Sequence, residues 1–470
     1  MKKSRRICLI LSLLMVFQLT VFPISAEVSA ADTAVTAGCH TINAAVPVLG
    51  TSQLVENAGS VLLYETGTDT LLYAWNADAQ IYPASLVKIM TALVVIQNAN
   101  LTDAVTVSQQ VLSTIPDGAV TVKLQENEVL SVQDLLYCMM VGSANDAAAM
   151  LAEYVSGSQE AFVVQMNQCA ADLGCKDTVF TDPHGLSSEQ HSTARDMGRI
   201  LSAAMKDETF QAIFCAFDYT VPATNRSEER ILESANLLMD PESALYYDSR
   251  VTGGRTGAGN SGERCIAVTA EAEQLQVISI VTGAKSVYRD DGYTVTTIGG
   301  YKETKTLLDS CLSGFKPAQI LYANQALKQY KVSDGASDLV VGPQVSISTI
   351  LPADMDQSDL IYRYSEAASG IGAPIEKGQI ISNVEIWNGS VCVAQADLYA
   401  MNGVAVKQLS AEDTNGKKDT AVVPVILLVI AGVVGAAFIV LLIMRLISTL
   451  RMQSARNRSR RNRRNRRRSR

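Results

Sequence analysis

The chain has 470 residues, 48% of them hydrophobic, nine cysteines and a formal charge of −8. That length leaves room for two or three domains, the apolar content excludes a disordered chain, and the size excludes a small disulfide-stapled fold. The net charge hides an asymmetry: four basic residues stand near the N-terminus and 12 arginines in Arg445–Arg470, leaving 23 basic against 47 acidic residues between them, near −24, which argues against a polyanion as main partner.

In chain order, Lys2, Lys3, Arg5 and Arg6 precede an apolar run from Ile7 to Phe22, followed by the small-residue cleavage sites Ile24-Ser25-Ala26 and Val28-Ser29-Ala30. Residues 1–30 therefore read as a secretory signal peptide, with an uncleaved signal anchor as the alternative. Residues 31–54 are small and polar and read as a linker. Gly59 to Tyr64, then Thr66 to Asp69, then Thr70 to Ala74 predict strand, turn and strand. A helix-rich stretch follows from Ser85 to about Met205. Within it, Ser131 with Asp134 predicts a helix start before Leu135, Leu136, Met139 and Met140. Arg264 to Ala270 and Leu275 to Thr282 predict two antiparallel strands, and a helix from about Gly299 to Leu312 closes the unit. The order strands, helices, strands, helix predicts an α+β domain over 55–314 whose sheet uses both ends of its sequence.

Residues 315–409 change character. Leu339 to Val341, Val345 to Ile350, Leu360 to Tyr364, Val384 to Trp387 and Val391 to Tyr399 are short strand-like runs, with Asn388-Gly389 as a hairpin signal between the last two. They predict a small all-β domain. Residues 410–420 form a polar linker. Residues 421–444 carry no charge and are long enough to cross a bilayer as a transmembrane helix. The arginine-rich tail 445–470 beside that span belongs on the cytoplasmic side. The expected topology is a single-pass protein of the cell membrane with its catalytic domain extracytoplasmic. Its tail is expected to meet anionic lipid rather than nucleic acid. No C-x-x-C pair occurs. Cys169 and Cys175 are close enough in sequence to bridge, though spacing alone does not decide it.

Three constellations carry candidate chemistry. Pro83-Ala84-Ser85-Leu86-Val87-Lys88 opens a run to Ile96 that is apolar apart from Lys88 and Thr91. Such a helix is buried. It puts Ser85 at the helix start and Lys88 one turn on, on the same face. Burial disfavours the ammonium, so a neutral amine becomes available to take the serine proton. Ser143-Ala144-Asn145 lies between two predicted helices and offers a hydroxyl for proton relay and an amide for a substrate peptide bond. Gly253-Gly254-Arg255-Thr256-Gly257 offers a cation, a hydroxyl and a glycine that permits close approach to the backbone; read blandly, it is a flexible lead-in to the strand pair.

The three stand 58 and then 112 residues apart, in the order of the S-x-x-K, S-D-N and K-T-G set of penicillin-binding proteins and class A β-lactamases. With Tyr82 to Leu93, Asp182-Pro-His-Gly-Leu186, His191 to Asp196, Ala235-Asn236-Leu237-Leu238 and Gly378 to Tyr399, the chain resembles the D-alanyl-D-alanine carboxypeptidase family of low-molecular-mass penicillin-binding proteins over roughly Val55 to Leu409. The resemblance implies a β-lactamase/DD-peptidase-like catalytic domain followed by a small β-domain. It implies a serine peptidase that trims the terminal D-alanine from peptidoglycan stem peptides and is inhibited by β-lactams. It implies Ser85 as nucleophile, Lys88 as its base, Ser143 as proton shuttle and Asn145 as substrate orienter. The N–H groups of Ser85 and Ala258 would form the oxyanion hole beside Gly257, and Arg255 and Thr256 would bind the terminal carboxylate. No cofactor or metal is implied. The chain departs from the family pattern in having Arg255 for the usual lysine and Val87 for a frequent threonine.

Other readings are weaker. A Ser-His-Asp hydrolase has only His40, His184 and His191 to draw on, without a G-x-S-x-G elbow, and a zinc site lacks H-E-x-x-H. A β-lactamase needs a separate deacylating glutamate, for which no clear equivalent is visible. A non-catalytic wall sensor conflicts with the retention of Ser85, Lys88, Ser143 and Asn145.

Overall fold

The computed structural model describes residues 52–408 apart from 260–261, 273, 292–293, 366–370 and 390, together with residues 42 and 47–49. The expected signal peptide, most of the first linker, and the segments 410–420, 421–444 and 445–470 lie outside the described residues. Among the described residues, no helix is long and apolar enough to cross a membrane.

A hairpin of β1 (Ser60–Glu65) and β2 (Thr70–Trp75) opens the fold, and a 3-10 turn at Ala84–Leu86 leads into helix α1 (Val87–Asn98). Next come β3 (Ala104–Thr106), α2 (Gln109–Leu112), β4 (Val129–Ser131), α3 (Val132–Met140), α4 (Asn145–Ser156), α5 (Gln159–Asp172), α6 (Ala194–Ala204) and α7 (Glu208–Phe214). The chain returns to strands with β5 (Asp218–Val221), β6 (Arg230–Glu233), β7 (Val251–Ala258), β8 (Arg264–Ala272), β9 (Leu275–Ala284), β10 (Val287–Tyr288) and β11 (Val295–Thr297), then α8 (Tyr301–Leu312).

The main sheet runs β2-β1-β9-β8-β7, antiparallel throughout, so both ends of this segment meet in one sheet. Its inner strands β1, β8 and β9 read as largely apolar runs because both faces are covered. Leu62 and Tyr64 of β1 join the core under the helices, while Val61 and Leu63 join a second core under α8. β9 divides Ile278 and Ile280 from Val277 and Val281 in the same way. Side-chain alternation along each strand thus builds two cores. Helix α1 lies inside the helical one: every residue from Val87 to Val95 is buried. Ser131 caps α3 as expected, accepting from the Asp134 N–H at 3.0 Å.

Two features depart from the sequence reading. The glycine-rich Gly253–Gly257 segment is not a loose lead-in but the middle of β7, the edge strand of the sheet. Residues 48 and 49, assigned to a linker by composition, donate their backbone N–H groups to the carbonyls of Leu71 and Leu72 and pack on the α8-side core.

The C-terminal part consists of β12 (Phe315–Leu321), β13 (Lys328–Tyr330), β14 (Leu339–Gly342), β15 (Ile347–Pro352), β16 (Ile361–Tyr364), β17 (Ile380–Asn388) and β18 (Val391–Ala400). A pair β12-β15 and a sheet β13-β14-β18-β17-β16 share one apolar core that includes Leu321, Leu351, Val384, Ile386 and Leu398. Asn388 still pairs with Val391, and Gly389 turns the hairpin at φ +57°. Ile350 and Phe315 pack with Leu307, Leu308 and Leu312 of α8, joining the two parts through apolar contact.

Candidate active site

Ser85 sits in the 3-10 turn at the mouth of α1, half-buried. Ala84 before it is held in the left-handed region at φ +48°. An L-residue pays for that conformation, and such strain concentrates at functional sites. Two glycines make room for the turn. A Cβ on Gly185 would lie 2.2 Å from the Ala84 carbonyl oxygen, and one on Gly257 would lie 2.8 Å from the Ser85 backbone nitrogen. Strand β7 therefore passes directly against the Ser85 amide, and Ala258 follows at its exposed end.

Lys88 is fully buried. Its Nζ lies 3.3 Å from Ser85 Oγ, and it donates to Asn145 Oδ1 at 2.7 Å and to the His184 carbonyl at 2.6 Å. Burial pushes the Lys88 ammonium well below its ordinary value, and the charge of Arg255 pushes the same way, against weaker support for the cation from Asp182 and Asp146. A neutral amine has two N–H groups and one lone pair. In that neutral form Asn145 and His184 would accept both hydrogens, leaving the lone pair for Ser85.

Asn145, the first residue of α4, is buried. Its Nδ2 donates to the Val120 carbonyl at 2.9 Å, leaving one amide hydrogen for a ligand. Ser143 stands in the turn before it at φ +57°. Arg255 closes the ring. It is 4% exposed, and burial lowers its guanidinium to about 10, still charged at neutral pH. Nη1 donates to the Met140 carbonyl, Nη2 to Ser143 Oγ at 2.7 Å, and Nε reaches the Ser85 carbonyl at 3.5 Å. Strand alternation explains the placement. Arg255 and Gly257 pair with Ala267 and Cys265 on the helical-core face, whereas Thr256 pairs with Ile266 on the other face. The Thr256 side chain there meets the Tyr301 hydroxyl.

Ser85, Lys88, Ser143, Asn145, Arg255 and Gly257 are thus brought together by three separate pieces of chain. Residue types did not reveal the fourth piece, the loop around His184. Its Pro183 carbonyl accepts from Thr91 Oγ1 at 2.6 Å, and its Gly185 carbonyl accepts from the Tyr82 hydroxyl at 2.7 Å. Asp182 holds the loop by accepting from the backbone N–H groups of His184, Gly185, Leu186 and Ser187. Burial alone would raise the Asp182 carboxyl, but His184 and these N–H groups outweigh it and hold it low. The signal was present as Asp182-Pro-His-Gly-Leu186, though a backbone acceptor leaves no mark of its own in a sequence.

A family model described as D-alanyl-D-alanine carboxypeptidase matches residues 48–286, and one described as penicillin-binding protein 5, C-terminal domain, matches 315–406. The D-alanyl-D-alanine carboxypeptidase DacA of Haemophilus influenzae is 30% identical over 358 residues, 74% of this chain and 85% of the relative. DacF of Bacillus subtilis is 27% identical over 362 residues, covering 74% and 86%. The crystal structure of penicillin binding protein 5 from Haemophilus influenzae aligns with a TM-score of 0.62 at 29% identity, over 76% of this chain and all of that one. The carboxypeptidase DacD from Francisella tularensis, at 21% identity and a TM-score of 0.60 over 77% and 96%, shares the fold.

Proposed function

The chain belongs to the D-alanyl-D-alanine carboxypeptidase family, and from that premise we propose that Ser85 is its acylated nucleophile and Lys88 the base. The protein is a serine-type D-Ala-D-Ala carboxypeptidase, a penicillin-binding hydrolase that removes the terminal D-alanine of peptidoglycan stem peptides through an acyl-enzyme.

The observation that carries the assignment of roles is the setting of Lys88: buried, depressed in basicity, and with two firm acceptors that leave its lone pair to Ser85. In the proposed sequence, Lys88 takes the Ser85 proton while Oγ attacks the carbonyl of the penultimate D-alanine. The oxyanion meets the N–H groups of Ser85 and Ala258, the kind of preorganised donor pair that dominates acyl-transfer catalysis. Ser143 passes a proton to the leaving amine, and the remaining Asn145 N–H holds the substrate amide. Arg255, beyond the bonds it makes within the protein, keeps two N–H groups for the terminal carboxylate; Thr256 follows it on the strand with its side chain turned to Tyr301. The open edge of β7 suits an extended peptide added as a further strand. Water then releases the acyl-enzyme. A β-lactam enters by the same attack and stays.

The catalytic part is proposed to work outside the cytoplasm as 55–314, followed by the β-domain 315–409. The span 421–444 is proposed to anchor it, with the tail against anionic lipid. The test of the mechanism is incubation of the protein with a labelled penicillin, followed by peptide mapping. The label is expected on Ser85 and absent from Ser85→Ala; a label on another serine sinks the assignment. Lys88→Ala is expected to slow acylation at least about 100-fold, the low end for loss of a general base.

A further inference from the structure

Helix α5 ends in a pattern that folds Cys175 back over the turn that holds Cys169. Leu173 N–H bonds the Cys169 carbonyl at 3.0 Å, Gly174 N–H bonds Ala171 at 2.9 Å, and Cys175 N–H bonds Ala170 at 2.9 Å, with Gly174 at φ +74°. This is a Schellman ending, in which the second residue past the cap folds back over the residues one turn inside the helix. That contact is ordinarily apolar. Here the outer position is Cys175, the nearer inner position is Ala170, too small to fill the space, and the next is Cys169. Both cysteines are half-buried against the helical core, and each is a free thiol.

We propose that Cys169 and Cys175 are a disulfide site, oxidised when the domain meets an oxidising environment. This rests on the extracytoplasmic reading above only for where oxidation takes place, since cytosolic thiols stay reduced. The reaction needs a disulfide oxidant, either a small-molecule disulfide or a thiol–disulfide oxidoreductase. One thiolate attacks the oxidant to form a mixed disulfide and expel a thiol. The second thiolate then attacks the protein sulfur of that mixed disulfide. The protein loses two protons and two electrons, and the oxidant's S–S bond becomes two thiols.

The site has a structural consequence close to the chemistry. Cys175 opens the segment that runs through Thr178 and Phe180 to His184, and its thiol already leans on the Asp196 carbonyl at 3.7 Å. A bridge to Cys169 would pin the root of the loop that presents the His184 carbonyl to Lys88. Burial raises both thiols, Cys175 to about 12, so thiolate is scarce and exchange is slow near neutral pH.

The experiment uses the full chain, purified reduced and incubated in a glutathione redox buffer at several pH values, followed by alkylation and non-reducing peptide mapping. A single linked peptide joining Cys169 to Cys175 is expected, formed about tenfold faster per pH unit below the thiol pKa. The oxidised protein is expected to melt a few degrees higher than the reduced one. That gain should vanish equally in Cys169→Ser, Cys175→Ser and the double variant. Two alkylated thiols after prolonged oxidation, a glutathione adduct on each, or linkage of either to another cysteine would overturn the proposal. Linkage in the buffer but free thiols in protein taken directly from cells would support the site and count against the extracytoplasmic reading.

Discussion

Arg255 stands where the K-T-G pattern has lysine, and its geometry gives it two separable effects. As a charge, it disfavours protonation of Lys88. Removing it in Arg255→Gln should raise the Lys88 pKa, so the rising acid limb of the kcat/KM profile should move to higher pH. Arg255→Lys should leave the limb near its original place. As a donor, Arg255 holds Met140 and Ser143 and keeps hydrogens for a carboxylate. Arg255→Ala should therefore cost about 2–5 kcal/mol of transition-state binding on a peptide ending in free D-Ala-D-Ala, and less on its amide. Equal losses on acid and amide would leave Arg255 only the task of holding Ser143. The shape of the side chain matters here: a planar guanidinium spans a carbonyl and a hydroxyl at once, where an ammonium serves as a point charge.

At the scale of an element, the loop 182–187 acts as a bracket that presses the His184 carbonyl onto Lys88. Its stability depends on one carboxylate. Because the Asp182 pKa is depressed in the folded protein, its contribution is complete above the ordinary value of 3.8 and is lost progressively as pH falls below it. Asp182→Asn should thus destabilise the protein by about 1.5–3 kcal/mol above about pH 5. Thermal melts of the two proteins should converge at lower pH, and a gap independent of pH would refute the assignment. Gly185→Ala should do more to acylation, since the added Cβ meets the Ala84 carbonyl at 2.2 Å and the backbone is left-handed there. Both variants bear on what a sequence can reveal. Ser85 and Lys88 were legible because an apolar run interrupted by one lysine implies a buried amine. Asn388-Gly389 was legible because turn chemistry is local. Strand β7 was not, because Gly253, Gly254 and Gly257 are poor strand formers. Its glycines answer to close approach by Phe214, Asn236 and Ser85, which is a tertiary demand.

For the whole molecule the decisive quantity is the distribution of charge along the chain. A segment near −24, proposed to be exported, is separated from a tail of 12 arginines by 24 uncharged residues, 421–444. Arginine-rich tails resist translocation, and each basic residue at an anionic surface contributes about 1 kcal/mol to attachment. As a transmembrane helix, 421–444 would add far more than the tail, because such a helix inserts almost irreversibly. The expected outcome is therefore an integral membrane protein that an alkaline wash does not release. Protease added outside cells stripped of their wall should remove penicillin-labelled protein and spare a tagged tail. Ending the chain before Thr420 should release a soluble protein that still takes the label on Ser85. Deleting only Arg445–Arg470 should weaken the bias in orientation while leaving most of the protein in the membrane. Labelled protein that resists external protease while the tail is cut would reverse the topology, and full release by alkali would leave 421–444 without the role of an anchor.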